Sequence, residues 1–302
     1  MDWTKLEELN LQQEETLFYE RMRHELPGLK RLSLQLGNTG SFMPQDRIDF
    51  LRGIPSLESL SIWIGSPYEY AEGEKNRTRL PLIEIVESHC PSLSSLSLHQ
   101  GETHDPRLRR PMLSVDDLHY IRDSCPSLTH LGLDLDRDAH TGWPNSTFEA
   151  LMQFRNLTTL DIGFELGADL HSTREPAAYD PALQGLNGSG PFREPRMSLN
   201  VSETLFTELR RMKQGQPLQK VEFVVGDYTE KAYSGPLYFP MWEEGRARKF
   251  VCQADNDADG DESHCKMIGG FDEVDIEIRF PDDFVYTADE AELGMSEEGS
   301  QW

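Results

Sequence analysis

The sequence predicts an α/β fold: a solenoid with a curved parallel sheet on its inner side, helices on its outer side and a small β-rich cap at its C-terminal end. Two observations predict it. A six-residue phrase, L-x-x-L-x-L, recurs along most of the 302 residues, and a second set of apolar residues precedes most of the phrases at helical spacing. Stacked units are therefore expected over residues 1–226, with a long insertion at about 165–200.

Each phrase predicts a strand with one buried face, because its last positions alternate between apolar and other residues. The phrase occurs seven times, as LEELNL (6–11), LKRLSL (29–34), LESLSI (57–62), LSSLSL (93–98), LTHLGL (128–133), LTTLDI (157–162) and LQKVEF (218–223). No single unit can bury its apolar face alone. Stacked in order, the units are expected to share one continuous core.

The residues before the phrases predict a helix packed behind each strand. Apolar residues stand seven and three positions before the first Leu, and the gap of four puts both on one helix face. The two columns are Met22, Phe50, Val86, Ile121 and Ala150, then Leu26, Ile54, Cys90, Cys125 and Phe154. Ser114, followed by an acidic turn, is typical of a helix N-cap, and Pro126 ends that helix. Another helix is predicted over 202–212.

The repeat pattern thins towards the C-terminus. Residues 165–200 are rich in Pro and Gly and predict an insertion, and whether 165–217 also contains a decayed unit stays open. After 226 the period stops, and 227–280 predicts the β-rich cap, in which 248–253 and 274–280 alternate like paired strands. Residues 281–302 are acidic and predicted to be disordered.

Charge and cysteine content bound the function. The net charge is −24, and residues 251–302 hold sixteen Asp or Glu against two basic residues, a net of −14. This sign disfavours nucleic acid and favours a basic partner, or simply aids solubility. No apolar run approaches the roughly 20 residues that cross a bilayer, and no secretory signal is visible. We therefore expect no membrane association. The four cysteines form no CxxC pair, so we expect free thiols and a cytoplasmic or nuclear location.

Two units carry a resemblance to a known family. The stretches SVDDLHYIRDSCPSL (114–128), continuing into THLGL (129–133), and LIEIVESHCPSL (82–93) resemble the cysteine-containing subtype of leucine-rich repeat, which is characteristic of F-box proteins, especially fungal ones. The resemblance implies a horseshoe that presents substrates to a ubiquitin ligase. It also implies a preceding F-box, whereas a repeat phrase already begins at Leu6. Ligase subunits are therefore expected as partners only if an F-box lies upstream, and a ligase-independent scaffold is the alternative.

The strand residues that point away from the core predict a partner-binding site on the concave face. Six residues on neighbouring strands are the candidates: Arg31, Trp63, His99, His130, Asp134 and Asp161. Small Ser and Gly residues around them leave room for a partner, and an exposed Trp in such surroundings is typical of a binding hot spot. The carboxylates are expected to orient a partner's Lys or Arg. Alternatively, Trp63 packs on the loop at 67–70.

Other motifs point to chemistry less strongly. The segment DNDADGD (255–261) matches the first half of an EF-hand calcium loop, but Lys266 stands where the closing Glu belongs, so a solvated hairpin loop is favoured. Cys-His neighbours at 89–90 and 264–265 are weak evidence for zinc. No nucleophile with a base and an orienting acid can be assembled. We therefore expect a non-enzymatic interaction module without cofactor or metal; the alternative from another class is a calcium-regulated or catalytic protein that uses the C-terminal region.

Overall fold

A computed structural model gives the fold of the chain. It describes residues 2–12, 16–36, 45–64, 82–101, 112–137, 142–165, 195, 197–226, 248–254 and 263–268. Within these ranges one nine-stranded, mostly parallel sheet shares a single apolar core with the helices. The predicted α/β class is confirmed.

The nine strands lie side by side in chain order, so each strand pairs with the strand that precedes it and the strand that follows it in sequence. They are β1 (Glu8–Gln12), β2 (Arg31–Leu36), β3 (Ser59–Ile64), β4 (Ser95–Gln100), β5 (His130–Leu135), β6 (Thr159–Phe164), β7 (Lys220–Val225), β8 (Arg248–Ala254) and β9 (Ser263–Ile268). Strands β1 to β7 pair in parallel, and each contains the end of one recurring phrase. The seven strands expected from the phrases are therefore confirmed.

Six α-helices lie in the described ranges, and each stands between two consecutive strands of β1 to β7. They are α1 (Thr16–Met22), α2 (Gln45–Gly53), α3 (Leu82–Val86), α4 (Val115–Ser124), α5 (Asn145–Met152) and α6 (Leu199–Met212). Helix α4 begins after the predicted cap, where the Ser114 hydroxyl accepts from the Asp117 amide and the Asp117 carboxylate accepts from the Ser114 amide. Helix α6 begins three residues earlier than predicted, because Ser198 caps it through the Val201 amide.

Equivalent positions of consecutive units are buried in the core. Equal positions of consecutive phrases are register partners in the sheet, as in the row Leu32, Leu60, Leu96, Leu131, Leu160 and Val221. Every member of this row is at most 2% exposed, and both predicted helix columns are buried as well. The spacing of apolar residues along the chain thus places one layer of strand side chains against one layer of helix side chains.

An equivalent backbone hydrogen bond occurs at each junction between consecutive units. In each, the amide of the first residue of a strand donates to the carbonyl of the residue that precedes the previous strand. The six bonds are Arg31 to Glu7, Ser59 to Lys30, Ser95 to Glu58, His130 to Ser94, Thr159 to Thr129 and Lys220 to Thr158, with N···O distances of 2.9 to 3.1 Å. This repeated contact holds all seven parallel strands in one register.

The expectation of free thiols is wrong. Cys90 and Cys125 hold the same position in consecutive units, 35 residues apart, and form a disulfide with their Cα atoms 4.3 Å from each other. Cys252 and Cys265 are register partners in β8 and β9 and form a second disulfide. Cys90 and Cys125 are far apart along the chain, but stacking brings equal positions of adjacent units together. The cysteines therefore do not indicate a reducing compartment.

Two antiparallel strands follow the parallel ones. Strand β8 confirms the predicted strand at 248–253, and it pairs with β7 on one side and β9 on the other. Phe250 and Cys252 are fully buried and extend the core beyond β7. The predicted partner strand 274–280 lies outside the described residues. So do most of the insertion, residues 227–247 of the predicted cap, the acidic segment 255–261 and the tail 281–302.

A buried histidine makes stability depend on pH. His89 is 0% exposed, and burial lowers the pKa of its imidazole, which the carbonyl of Leu51 opposes to a lesser extent. Below pH ~6.5 the unfolded chain binds a proton that the folded chain does not. The free energy of unfolding should therefore fall with decreasing pH there, by up to about 1.4 kcal/mol per pH unit from this residue, and level off below the folded pKa.

Urea unfolding between pH 5 and 8 measures this effect. The variant His89→Leu should lose this component of the pH dependence, whereas the exposed His24→Leu should keep the wild-type slope. Equal slopes for the wild type and His89→Leu would show that the imidazole is solvated or charged in the folded state.

Candidate partner-binding face

The helices of the described ranges all pack on one face of the sheet, and we call the opposite face the open face. Alternate residues of β1 to β7 form it, since the residues between them point into the core. Its three columns are Glu8, Arg31, Ser59, Ser95, His130, Thr159 and Lys220; then Asn10, Ser33, Ser61, Ser97, Gly132, Asp161 and Glu222; then Gln12, Gln35, Trp63, His99, Asp134, Gly163 and Val224. All six predicted site residues belong to it.

Trp63 is one of the three large apolar side chains that the described residues expose, and the only one of these on the open face. It is 37% exposed and stands in register between Gln35 of β2 and His99 of β4. The other two, Leu17 and Leu199, lie on helices. Residues 67–70, on which Trp63 was alternatively expected to pack, lie outside the described residues.

His99 and Asp134 form a pair beside Trp63. The distance from His99 Nδ1 to Asp134 Oδ1 is 3.0 Å, and Asp134 Oδ2 accepts the backbone amide of Gln100 at 2.7 Å. Asp134 is only 7% exposed. We expected this carboxylate to receive a partner's cation, but its two oxygens are already engaged within the chain. Its role in the structure is to hold the imidazole of His99.

Two glycines give this pair its space. An added methyl group at Gly163 would collide with Asp134 Oδ1. A methyl group at Gly132 would stand 2.9 Å from both His99 Nε2 and Ser97 Oγ. The imidazole of His99 therefore lies over Gly132 of the next strand, and a larger residue at position 132 would displace the imidazole.

His130 and Asp161 form a second pair across β5 and β6. Their Nε2 and Oδ2 atoms are 3.1 Å apart, and both side chains are partly exposed, at 30% and 23%. Asp161 Oδ1 is shielded from water and has no hydrogen-bond partner among the described residues. This carboxylate thus relies on a histidine, which is charged only when protonated, rather than on a permanent cation.

The two glutamates of the open face have permanent cations. Glu222 lies between two lysines, with 2.5 Å from Oε1 to Lys220 Nζ and 2.5 Å from Oε2 to Lys249 Nζ. At the opposite end, Glu8 pairs with Arg31 at 2.9 Å. That pair is largely exposed and contributes little to stability, but it ties the predicted site residue Arg31 to its neighbour.

The sequence predicted which positions form the open face but not the ion pairs between them. Lys249 was not a candidate, because β8 follows no repeat and its place beside β7 is not visible in the period. Glu222 was placed in the outward column but not in the site. The alternation of 248–253 is the signal that would have suggested Lys249, had its neighbouring strand been known.

The described residues show no other chemical centre. Within them no three or more His, Cys, Asp or Glu side chains are grouped so that they could hold a metal ion. The Cys of each Cys-His neighbour pair is in a disulfide. None of the helices in the described ranges is long and apolar enough to span a membrane.

Comparison with known proteins identifies no relative. No protein-family model matches the chain, and neither a curated protein sequence nor a solved structure matches it.

Proposed function

We propose that the chain is a leucine-rich-repeat solenoid of the cysteine-containing subtype and that it binds a protein partner on its open face without catalysing a reaction. The repeating register and the identical junction bonds support the solenoid, because each unit then relates to the next in the same way. A sheet that continues in this way with helices on one side curves away from the helices, which makes the open face the concave one.

One observation carries the binding function: an exposed Trp63 and a carboxylate without a permanent counter-ion share a face of small side chains. Ser61 and Ser97 keep the central column low on β3 and β4, whereas the imidazole of His99 lies over Gly132 of β5. A partner that covers this column would bury the indole and supply a charge to Asp161. Buried aromatic anchors and charge-assisted contacts contribute most of the energy in protein interfaces.

The wider role follows from the resemblance to F-box proteins. As a substrate receptor, the chain would recruit ubiquitin ligase subunits through an F-box upstream of the described strands. As a scaffold, it would bind the same partner without them. Copurification of ligase subunits with the partner distinguishes the two roles. A cytoplasmic or nuclear location stays a prediction.

A cross-linked pull-down with matched variants tests the proposal. The double variant Trp63→Ala/Asp161→Ala should lose at least about 90% of each specific partner, because removal of two central contacts costs several kcal/mol. The control Leu199→Ala/Asp123→Ala removes an exposed apolar residue and an exposed carboxylate from the helical side. It should retain the partners.

Circular dichroism and urea midpoints must be the same for both double variants. If the open-face variant keeps every partner while the helical-side variant loses them, the binding site is on the helices and the proposal fails.

A further inference from the structure

The two disulfides differ in how far a reductant can reach them. Cys90 and Cys125 are 2% and 1% exposed, and Cys252 is fully buried. Cys265 is only partly buried. A disulfide is cleaved when a thiolate attacks one sulfur along the line of the S–S bond. The reactivity of each sulfur therefore depends on the approach from the side opposite its bonded partner.

Both approaches to the Cys90–Cys125 bond are closed. The two cysteines hold equivalent positions of consecutive units, so the bond runs from one unit to the next along the stack. The equivalent positions in the preceding and the following unit are Ile54 and Phe154, which are 1% and 3% exposed and belong to the same core. A thiolate can reach this bond only after the units separate.

Among the described residues, the Cys252–Cys265 bond is covered at one end only. The two cysteines are register partners in β8 and β9, and Val221 of β7 is the register partner of Cys252 on its other side. Val221 is fully buried and covers the approach to Cys252. Strand β9 is the last strand of the described sheet, so the approach to Cys265 comes from the edge of that sheet. Attack at Cys265 makes Cys252 the leaving group.

This leaving group has a hydrogen-bond acceptor beside it. Sγ of Cys252 lies 3.7 Å from the carbonyl oxygen of Ser202 in α6, and Ser202 is fully buried. A disulfide sulfur carries no proton, whereas a cysteine thiol is a weak hydrogen-bond donor. Reduction thus gives Cys252 a hydrogen bond within the core that the disulfide cannot make.

We propose that Cys252–Cys265 is a thiol–disulfide exchange site for a dithiol reductant, and that Cys90–Cys125 is a structural bond. One thiolate of the reductant attacks Sγ of Cys265, the S–S bond breaks, and Cys252 leaves as a thiolate that takes up a proton. The second thiolate of the reductant then attacks the reductant's own sulfur in the mixed disulfide and releases Cys265, which also takes up a proton. Two electrons and two protons pass to the cysteines, and the reductant becomes a disulfide.

Reduction loosens the two strands that the bond joins. The link connects residues 13 apart in β8 and β9, and its removal restores conformational freedom to the chain between them. Strand β8 also carries Lys249, which pairs with Glu222 on the open face. The redox state of this one bond therefore controls how firmly β8 and its lysine are held beside β7.

Reduction of the folded chain with dithiothreitol, followed by iodoacetamide and peptide mapping, tests the assignment. Adducts at Cys252 and Cys265 should appear at least about 100-fold faster than adducts at Cys90 and Cys125, because the enclosed bond reacts only when the units open. Similar rates for the two bonds, or faster reduction of Cys90–Cys125, would overturn the assignment. Adducts at Cys252 and Cys265 before any reductant is added would do the same.

Two single variants test which sulfur is attacked. Cys252→Ser leaves a free thiol on β9, Cys265→Ser leaves one on β8, and both variants lack the bond. The first should react with dithiodipyridine at least about tenfold faster than the second, because Cys265 is within reach of the reagent and Cys252 is buried. The reverse order would mean attack at Cys252 and would contradict the proposed sequence of steps.

Hydrogen exchange measures the coupling of the bond to the sheet. After selective reduction, the amides of β8 and β9 should exchange about tenfold faster or more, whereas those of β4 and β5 should keep their rates. The variant Cys252→Ala/Cys265→Ala should show the same fast exchange without reductant. Unchanged exchange in β8 and β9 on reduction would mean that the bond does not hold these strands, and its proposed control of β8 would be wrong.

Discussion

Replacement of a core leucine in the sheet, Leu96→Ala or Leu131→Ala, is expected to lower the free energy of unfolding by about 2–5 kcal/mol in each case. Both side chains are fully buried and are register partners in β4 and β5. Each change removes buried apolar surface and leaves a cavity that neighbouring units, held in the same register, cannot close. The measurement is urea unfolding monitored by circular dichroism.

The open-face neighbour Ser95 provides the matched control for this pair. It precedes Leu96 on the same strand and points to the other side of the sheet, so Ser95→Ala should change stability by no more than about 0.5 kcal/mol. Similar urea midpoints for the wild type and both leucine variants would mean that these phrases do not form the buried face of the sheet.

Loss of the disulfide between adjacent units is the second large effect. Cys90→Ala/Cys125→Ala removes a link between residues 35 apart, and the chain-entropy relation gives a cost of about 4 kcal/mol. Cys252→Ala/Cys265→Ala removes a link between residues 13 apart, and the same relation gives about 3 kcal/mol. The first double variant should therefore be the less stable of the two by about 1 kcal/mol in urea unfolding.

Alkylation establishes whether the bonds form. Treatment of the unfolded chain with iodoacetamide should add no mass without reductant and four adducts after reduction. Adducts on Cys90 and Cys125 without reductant would mean that the two thiols stack without a bond. The stability cost of the Cys90→Ala/Cys125→Ala variant would then reflect lost packing alone.

The strands and the core were predictable because their signal is local and repeated. Apolar residues at the buried strand positions and two helix columns four residues apart recur in unit after unit, so a weak pattern in one unit is compensated by the same pattern in the others. Leu96 and Leu131 were placed correctly from spacing alone. Once the buried positions were known, the residues of the open face could also be predicted, because successive side chains of a strand alternate between its two faces.

The contacts within the open face were not predictable in the same way. The pairing of His99 with Asp134 depends on glycine at 132 and 163, which the sequence shows as small residues without indicating which side chain fills the space. The ion pair of Glu222 with Lys249 depends on β8, which follows no repeat. The two cysteine pairs could be predicted only if one knew which positions of neighbouring units and strands lie side by side. These features arise from contacts between units, whereas the repeat pattern describes each unit alone.

Photocross-linking on the two sides of the sheet tests the central claim most directly. Benzoylphenylalanine is placed singly at Gln35 and Thr159 on the open face, and at Glu84 and Glu208 on the exposed side of α3 and α6. After irradiation with a bound partner, mass spectrometry identifies the adducts. Binding on the open face predicts partner adducts from Gln35 and Thr159 and none from Glu84 or Glu208; adducts from the helical positions alone would contradict it.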